Sequence, residues 1–311
     1  MAGKTKNPRR SRGDETQIKK KLETPHVVSY QDFVSSHARL FRHGKSLPLG
    51  KASPRKQARL KPNAPVVLIF SPHPDDECIV GGLALRLRRE AGFRVVNIAV
   101  TLGSKVARRK ARLKELSNAC EFLGFELEQI APDGLANITP VARVQEPKRW
   151  EMAVRATAAL LWRHKPKVIF IPHAHDHHCT HIGTHWLVMD ALQTLPASFR
   201  CTLVETEFWG QMASPNLLVE SSVADVADLV TALAVHTGEV KRNPYHLRLP
   251  AWMMDNVRRG AELVGNAGGK APDFTFATLY RLRRWAKGSA KAPPLTSGLV
   301  GCAARVDRLF K

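Results

Sequence analysis

Short solid apolar runs alternate with longer stretches whose apolar residues recur at helical spacing. Val66-Val67-Leu68-Ile69-Phe70 is a continuous apolar run of strand length, the signature of a strand buried on both faces of a parallel sheet. The pattern then predicts a helix from Ile79 to Glu90, a strand from Arg94 to Thr101, a helix from Ala107 to Leu123 and a short strand from Glu126 to Ile130. It continues with a helix from Trp150 to His164, a strand from Val168 to Ile171, a helix from His181 to Leu195 and a strand near Thr202 to Trp209. After Trp209 a loop and short strand end near Val219, followed by an amphipathic segment from Val223 to Val235 and a helix from Trp252 to Leu263. No internal repeat is visible. Strands alternating with helices define an α/β fold: a three-layer, Rossmann-like, mostly parallel sheet with helices on both faces.

Two loops interrupt this pattern with chemistry. The first strand runs into Pro72-His73-Pro74-Asp75-Asp76-Glu77. The prolines stop the strand, which places a histidine and paired carboxylates at its carboxyl end, where open α/β sheets bind ligands. A solvated acidic turn at a helix start would account for the acids alone. The strand ending at Ile171-Pro172 opens a second such loop, His173-Ala174-His175-Asp176-His177-His178-Cys179-Thr180-His181-Ile182-Gly183-Thr184-His185. Six of the chain's 13 histidines fall here. His181 and His185, four apart on a helix, share a face. Two loops of this kind meeting above neighbouring strands make a mixed His/carboxylate site, the donor set of a catalytic zinc with an open position.

These residues resemble the N-acetylglucosaminyl-phosphatidylinositol de-N-acetylase family, the LmbE-like or PIG-L-like metal-dependent deacetylases. The family's strand followed by (P/A)HPDDE stands unaltered at Pro72 to Glu77, and its HPDHxxxH corresponds to His178-Cys179-Thr180-His181-Ile182-Gly183-Thr184-His185. A weaker third feature is Thr101-Leu102-Gly103, then Arg112-Leu113-Lys114-Glu115-Leu116, Ala119 and Leu123-Gly124. The resemblance covers about Pro65 to Leu192 and extends loosely to about His236. It implies a metal-dependent hydrolase that removes an N-acetyl group from an N-acetylglucosamine-type amino sugar conjugate. The implied metal ligands are His73, Asp76 and His181, for Zn2+ or another divalent ion. Asp75 matches the base that activates the attacking water, His178 the histidine facing the oxyanion, and Arg112 an arginine approaching the substrate. Those roles are chemically coherent: three N/O ligands leave positions for water and an amide oxygen, and a neighbouring carboxylate can take the water's proton.

The chain departs from the family where Cys179-Thr180 replaces Pro-Asp. The missing acid can orient the first histidine of the motif. Asp176, two residues before His178, is the favoured substitute. The alternatives are a less basic His178 with slower turnover, or approach of the soft Cys179 thiol to the metal.

Charge and cysteine content bound the rest. The net charge is +21, and residues 1–61 hold sixteen Lys or Arg against four Asp or Glu. Residues 1–61 are therefore expected to be a basic N-terminal arm, partly disordered, with a short helix from Tyr30 to Phe41 and a basic linker from Lys51 to Lys61. Residues 62–240 form the expected metal-dependent deacetylase domain, and 241–311 a C-terminal helical extension and basic tail, with a linker from Lys287 to Pro294. The arm is a solvated tail or a contact for an anionic polymer or surface; it lacks interleaved aromatics and any DNA-binding signature. No apolar run reaches the roughly 18 residues of a membrane span, and no secretory signal is visible. Five scattered cysteines suit a reducing, cytoplasmic setting. Two other readings compete. Asp176-His177-His178 spells the DHH of a metal-dependent phosphoesterase family, whose separated upstream acids are not matched here. The other is a non-enzymatic basic protein binding nucleic acid or an acidic surface polymer. The intact Asp75-Asp76 pair argues against it.

Overall fold

The structure is a computed structural model describing residues 29–53, 56–266, 268, 270–291 and 298–310. Its described residues divide into two units, one ending at Leu47 and the other starting at Pro48. In the first, helix α1 (Tyr30–Gly44) starts at the N-cap Ser29, whose side chain accepts from the Asp32 backbone N–H. It runs three residues beyond the expected Phe41. The part of the arm before Ser29, to which the expectation of partial disorder applies, lies outside the described residues.

The second unit is built on a nine-stranded sheet in the order β3-β2-β1-β4-β5-β7-β6-β9, with β8 paired to β7. The strands are β1 (Val66–Ser71), β2 (Arg94–Ala99), β3 (Glu126–Gln129), β4 (Val168–Pro172), β5 (Cys201–Thr206), β6 (Leu217–Glu220), β7 (Ala277–Ala286), β8 (Ser289–Lys291) and β9 (Leu299–Val300). β3, β2, β1, β4 and β5 run parallel to one another, whereas β7 runs antiparallel to β5, β6 and β8. Strand order reverses at β1, so β1 and β4 flank the topological switch point, where the crevice of a doubly wound sheet opens.

Alternation along each strand divides the core in two. Val67 and Ile69 face a cluster with α2 (Asp76–Ile79), α3 (Gly81–Arg89), α4 (Arg109–Leu123) and α8 (Val223–Val235). Leu68 and Phe70 face the other side, against α6 (Pro147–His164) and α7 (Cys179–Gln193). The period of two sends successive side chains to opposite faces, so each strand needs apolar residues throughout. The remaining helices are α5 (Pro140–Gln145), α9 (Thr237–Val240) and α10 (Leu249–Leu263).

The C-terminal region departs most from the sequence reading. Residues 241–311, expected as a helical extension, supply α10 but also β7, β8 and β9. β7 carries Arg281, Arg283 and Arg284, which conceal its strand pattern. Arg283 Nη1 lies 2.9 Å from Glu205 on the adjacent β5, a cross-strand ion pair that meets the cost of placing an arginine there. Part of the expected linker from Lys287 to Pro294 is β8; its residues beyond Lys291 lie outside the described residues. The helix expected from Ile79 starts earlier, at Asp76, and breaks at Val80.

Candidate active site

The two signature loops follow β1 and β4, adjacent parallel strands, and meet in a cleft of about 870 Å³. At its floor, His73 Nδ1 lies 3.2 Å from His181 Nε2. Asp76 Oδ2 is 3.5 Å from that His73 nitrogen and 3.4 Å from His181 Nε2. Bonds of about 2.0–2.2 Å from one tetrahedral ion place its ligand atoms about 3.3–3.6 Å apart, so the triangle has the dimensions of a metal site. Burial lowers the His73 pKa to about 4 and also lowers that of His181. Both imidazoles are thus neutral, as ligands must be. These are the three residues that the resemblance offers as ligands, and the donor set fits a zinc ion. His178 also offers a nitrogen within 4.8 Å of the two imidazoles.

The first loop is held from several sides. Thr101, of Thr101-Leu102-Gly103, donates its hydroxyl to Pro72 O at 2.7 Å. Gly103 has φ +86°, and a Cβ there would stand 2.3 Å from Arg112 Nη1. Glycine therefore makes room for the arginine. Arg112 Nη2 donates to Pro74 O at 2.9 Å and lies 3.9 Å from Asp75 Oδ2. Its sequence neighbour Glu115 instead accepts from Thr237 Oγ1 and Gly238 N, so Arg112 faces the cleft and not a helical ion pair.

Asp75 and Asp76 are consecutive yet have different surroundings. Asp76 faces the two histidines; Asp75 Oδ2 accepts a hydrogen bond from the Tyr245 hydroxyl. Burial, and then the neighbouring Asp76 charge, raise the Asp75 pKa to about 7, which suits a carboxylate to exchange protons near neutrality.

Only part of the histidine cluster reaches this centre. His173 Nε2 donates to Gly210 O at 2.8 Å while its Nδ1 accepts from the His175 backbone N–H. His185 Nδ1 donates to Pro172 O at 2.9 Å. Both buried rings serve the loop, and the exposed His175 and His177 lie outside the set of converging donors.

His178 caps α7, its Nδ1 accepting from Thr180 N at 3.2 Å. With Nδ1 an acceptor, the neutral ring carries its proton on Nε2, a donor. This corrects the expected substitution of Asp176 for the missing family acid. Asp176 Oδ1 accepts from the His178 backbone N–H at 2.9 Å and lies 3.5 Å from His181 Nδ1; its Oδ2 takes the Trp209 and Gly210 N–H groups. The Asp176 carboxylate therefore supports the His181 ring and the loop, and the cap orients the His178 ring. The exposed Cys179 lines the cleft outside the set of converging donors.

Several residues that sequence reasoning missed complete the walls. Tyr245 comes from a 3-10 turn (Tyr245–Leu247), and Glu239 and Arg242 from the segment after α8. Lys105 and Arg108 come from the region preceding α4, and Arg109 is its first residue. No local motif announces Tyr245; it reaches Asp75 across 170 residues of sequence.

The sheet order and the two-loop site define an α/β protein with a His/carboxylate centre at its switch point. Residues 68–192 match the family PIG-L: GlcNAc-PI de-N-acetylase. No curated relative matches the chain. Among solved structures, it is similar to a conserved protein from Thermus thermophilus at 21% identity and TM-score 0.53, over 69% of this chain and 93% of that one. The N,N'-diacetylchitobiose deacetylase from Pyrococcus horikoshii, complexed with its inhibitor, matches at 17% identity and TM-score 0.51, over 82% and 93%. GalB, the 4-carboxy-2-hydroxymuconate hydratase from Pseudomonas putida, matches at 16% identity and TM-score 0.52, over 76% and 100%. A deacetylase and a hydratase share this fold, so the reaction has to be argued from the site.

Proposed function

We propose that the protein is a zinc-dependent N-deacetylase acting on an N-acetylglucosamine-type amino sugar conjugate. The observation that carries this reading is the convergence of His73 Nδ1, Asp76 Oδ2 and His181 Nε2 to within 3.2–3.5 Å of one another at the floor of the cleft. These three would hold the ion; other divalent metals accept the same donors. When bound, such an ion supplies Lewis-acid chemistry, acidifying water and polarising an amide carbonyl.

The chain's own residues divide the remaining work. Asp75 takes the proton of the attacking water, its carboxylate steadied by Tyr245. The water oxygen bonds to the acyl carbon, and His178 Nε2–H donates to the oxygen that gains charge. As the C–N bond breaks, a proton passes to the leaving nitrogen, giving acetate and a free amine. Arg112 and the basic side chains of Lys105, Arg108 and Arg109 line the same cleft, which suits a hydroxyl-rich or anionic part of the substrate. All five cysteines are unpaired and no described helix is long and apolar enough to cross a membrane; the former supports a reducing, cytoplasmic setting.

The test is a screen of N-acetylated glycosides for free-amine release, with and without chelator. Release that chelation abolishes and zinc restores is the expected result. Phosphate release from phosphodiesters without amine release would replace this reading by the phosphoesterase one.

A further inference from the structure

Behind Asp75, on the side away from the cleft, lies a buried pair that the proposed chemistry does not use. Asp75 has φ +117° and ψ −26°, a backbone conformation that a residue with a side chain adopts only when its surroundings impose it. Its backbone N–H donates to Glu77 Oε2 at 2.9 Å. The other Glu77 oxygen, Oε1, lies 2.7 Å from His236 Nε2 and accepts from Cys78 Sγ at 3.2 Å. Glu77 is wholly buried and His236 is 1% exposed, so water cannot substitute for either partner. His236 sits at the C-cap of α8, with Nδ1 buried and lacking a hydrogen-bond partner among the described residues. The pair spans 159 residues of sequence and fastens the end of α8 to the strained turn.

The same turn is gripped from the cleft side, where Arg112 holds Pro74 O. Among the described residues, only the Glu77 contact fixes the Asp75 N–H itself. The left-handed turn lets two consecutive carboxylates serve different partners, Asp76 the histidines and Asp75 the Tyr245 hydroxyl.

We infer that Glu77 and His236 are positioning residues: through the Asp75 N–H they impose the backbone turn that points the Asp75 carboxylate into the cleft. This inference rests on the proposed role of Asp75 as base. It assigns His236 a function in the active site although its ring lies outside the cleft lining. A gain of specificity in Asp75 geometry explains a buried ion pair better than stability does, because an apolar pair of equal volume would serve the core at least as well.

The test compares three substitutions at one position. In H236Q the amide nitrogen can stand where Nε2 stands; in H236N it falls short, near the place of Nδ1; in H236A nothing donates. H236N keeps a polar group in the site and carries the comparison if H236A does not fold. Crystal structures of H236N or H236A should show Asp75 φ leaving the positive region, with His73, Asp76 and His181 still converging. Turnover of an N-acetylglucosaminide should fall by at least ~10-fold, in kcat and not in KM, with H236Q restoring most of it. Asp75 retained at positive φ in H236N or H236A overturns the inference whatever the activity, as does loss of zinc binding in parallel with kcat. If wild-type protein releases no amine from any glycoside but Asp75 φ relaxes as described, the positioning role stands and the deacetylase reading fails.

Discussion

The loops after β1 and β4 occupy equivalent places at the switch point, yet they build the site in opposite ways. The first is short, and its titratable side chains from His73 to Glu77 all have a contact: His73 and Asp76 at the ligand triangle, Asp75 with Tyr245, Glu77 with His236. The second is rich in histidine and commits few of them. His178 and His181 reach the centre, His173 and His185 are spent on backbone carbonyls, and His175 and His177 are exposed. Abundance of a ligand type in a loop therefore overstates the site; the backbone decides which side chains arrive. In the first loop a left-handed residue does this, and in the second the start of a helix does.

The comparison can be broken first at its strongest point. Asp75→Ala should cut turnover by ~10²–10⁴-fold with zinc still bound, because it removes a base and no ligand; steady-state kinetics beside metal analysis checks this. Zinc lost along with activity would exchange the roles of the two acids. In the second loop, His178→Ala should lower kcat by ~10² and leave KM within about twofold, the pattern of a group that acts on developing charge. A change confined to KM would make His178 a substrate contact. The smallest effect belongs to His177→Ala. As an exposed substitution outside the donor set it should leave turnover and Tm near wild type, within about twofold in rate. A large loss there would return the DHH motif to the centre of the site.

Much of this was legible in the sequence. Solid apolar runs marked β1 and β4 because strands buried on both faces need apolar residues throughout. The unaltered Pro72-to-Glu77 motif pointed to His73, Asp75 and Asp76 because its donors lie within four consecutive residues. Three things were hidden for physical reasons. β7 reads as polar because of its arginines, and Arg283 finds its partner Glu205 on the neighbouring strand only once the sheet is formed. Tyr245 and His236 act on Asp75 and Glu77 through tertiary contacts without a local signature. The loss of the acid between His178 and His181 drew attention to Asp176, whereas a backbone N–H two residues on orients the His178 ring. Backbone groups carry no sequence identity, so substitution patterns cannot reveal them.

The central claim is that the two loops meet to hold one metal ion, with Asp76 as ligand and Asp75 beside it. Isothermal titration of chelator-treated protein with Zn2+ tests this most directly. The account predicts one ion per wild-type chain, the same stoichiometry in Asp75→Ala, and loss of binding in a folded Asp76→Ala variant. Undiminished binding by Asp76→Ala, or loss of binding by Asp75→Ala, would contradict it.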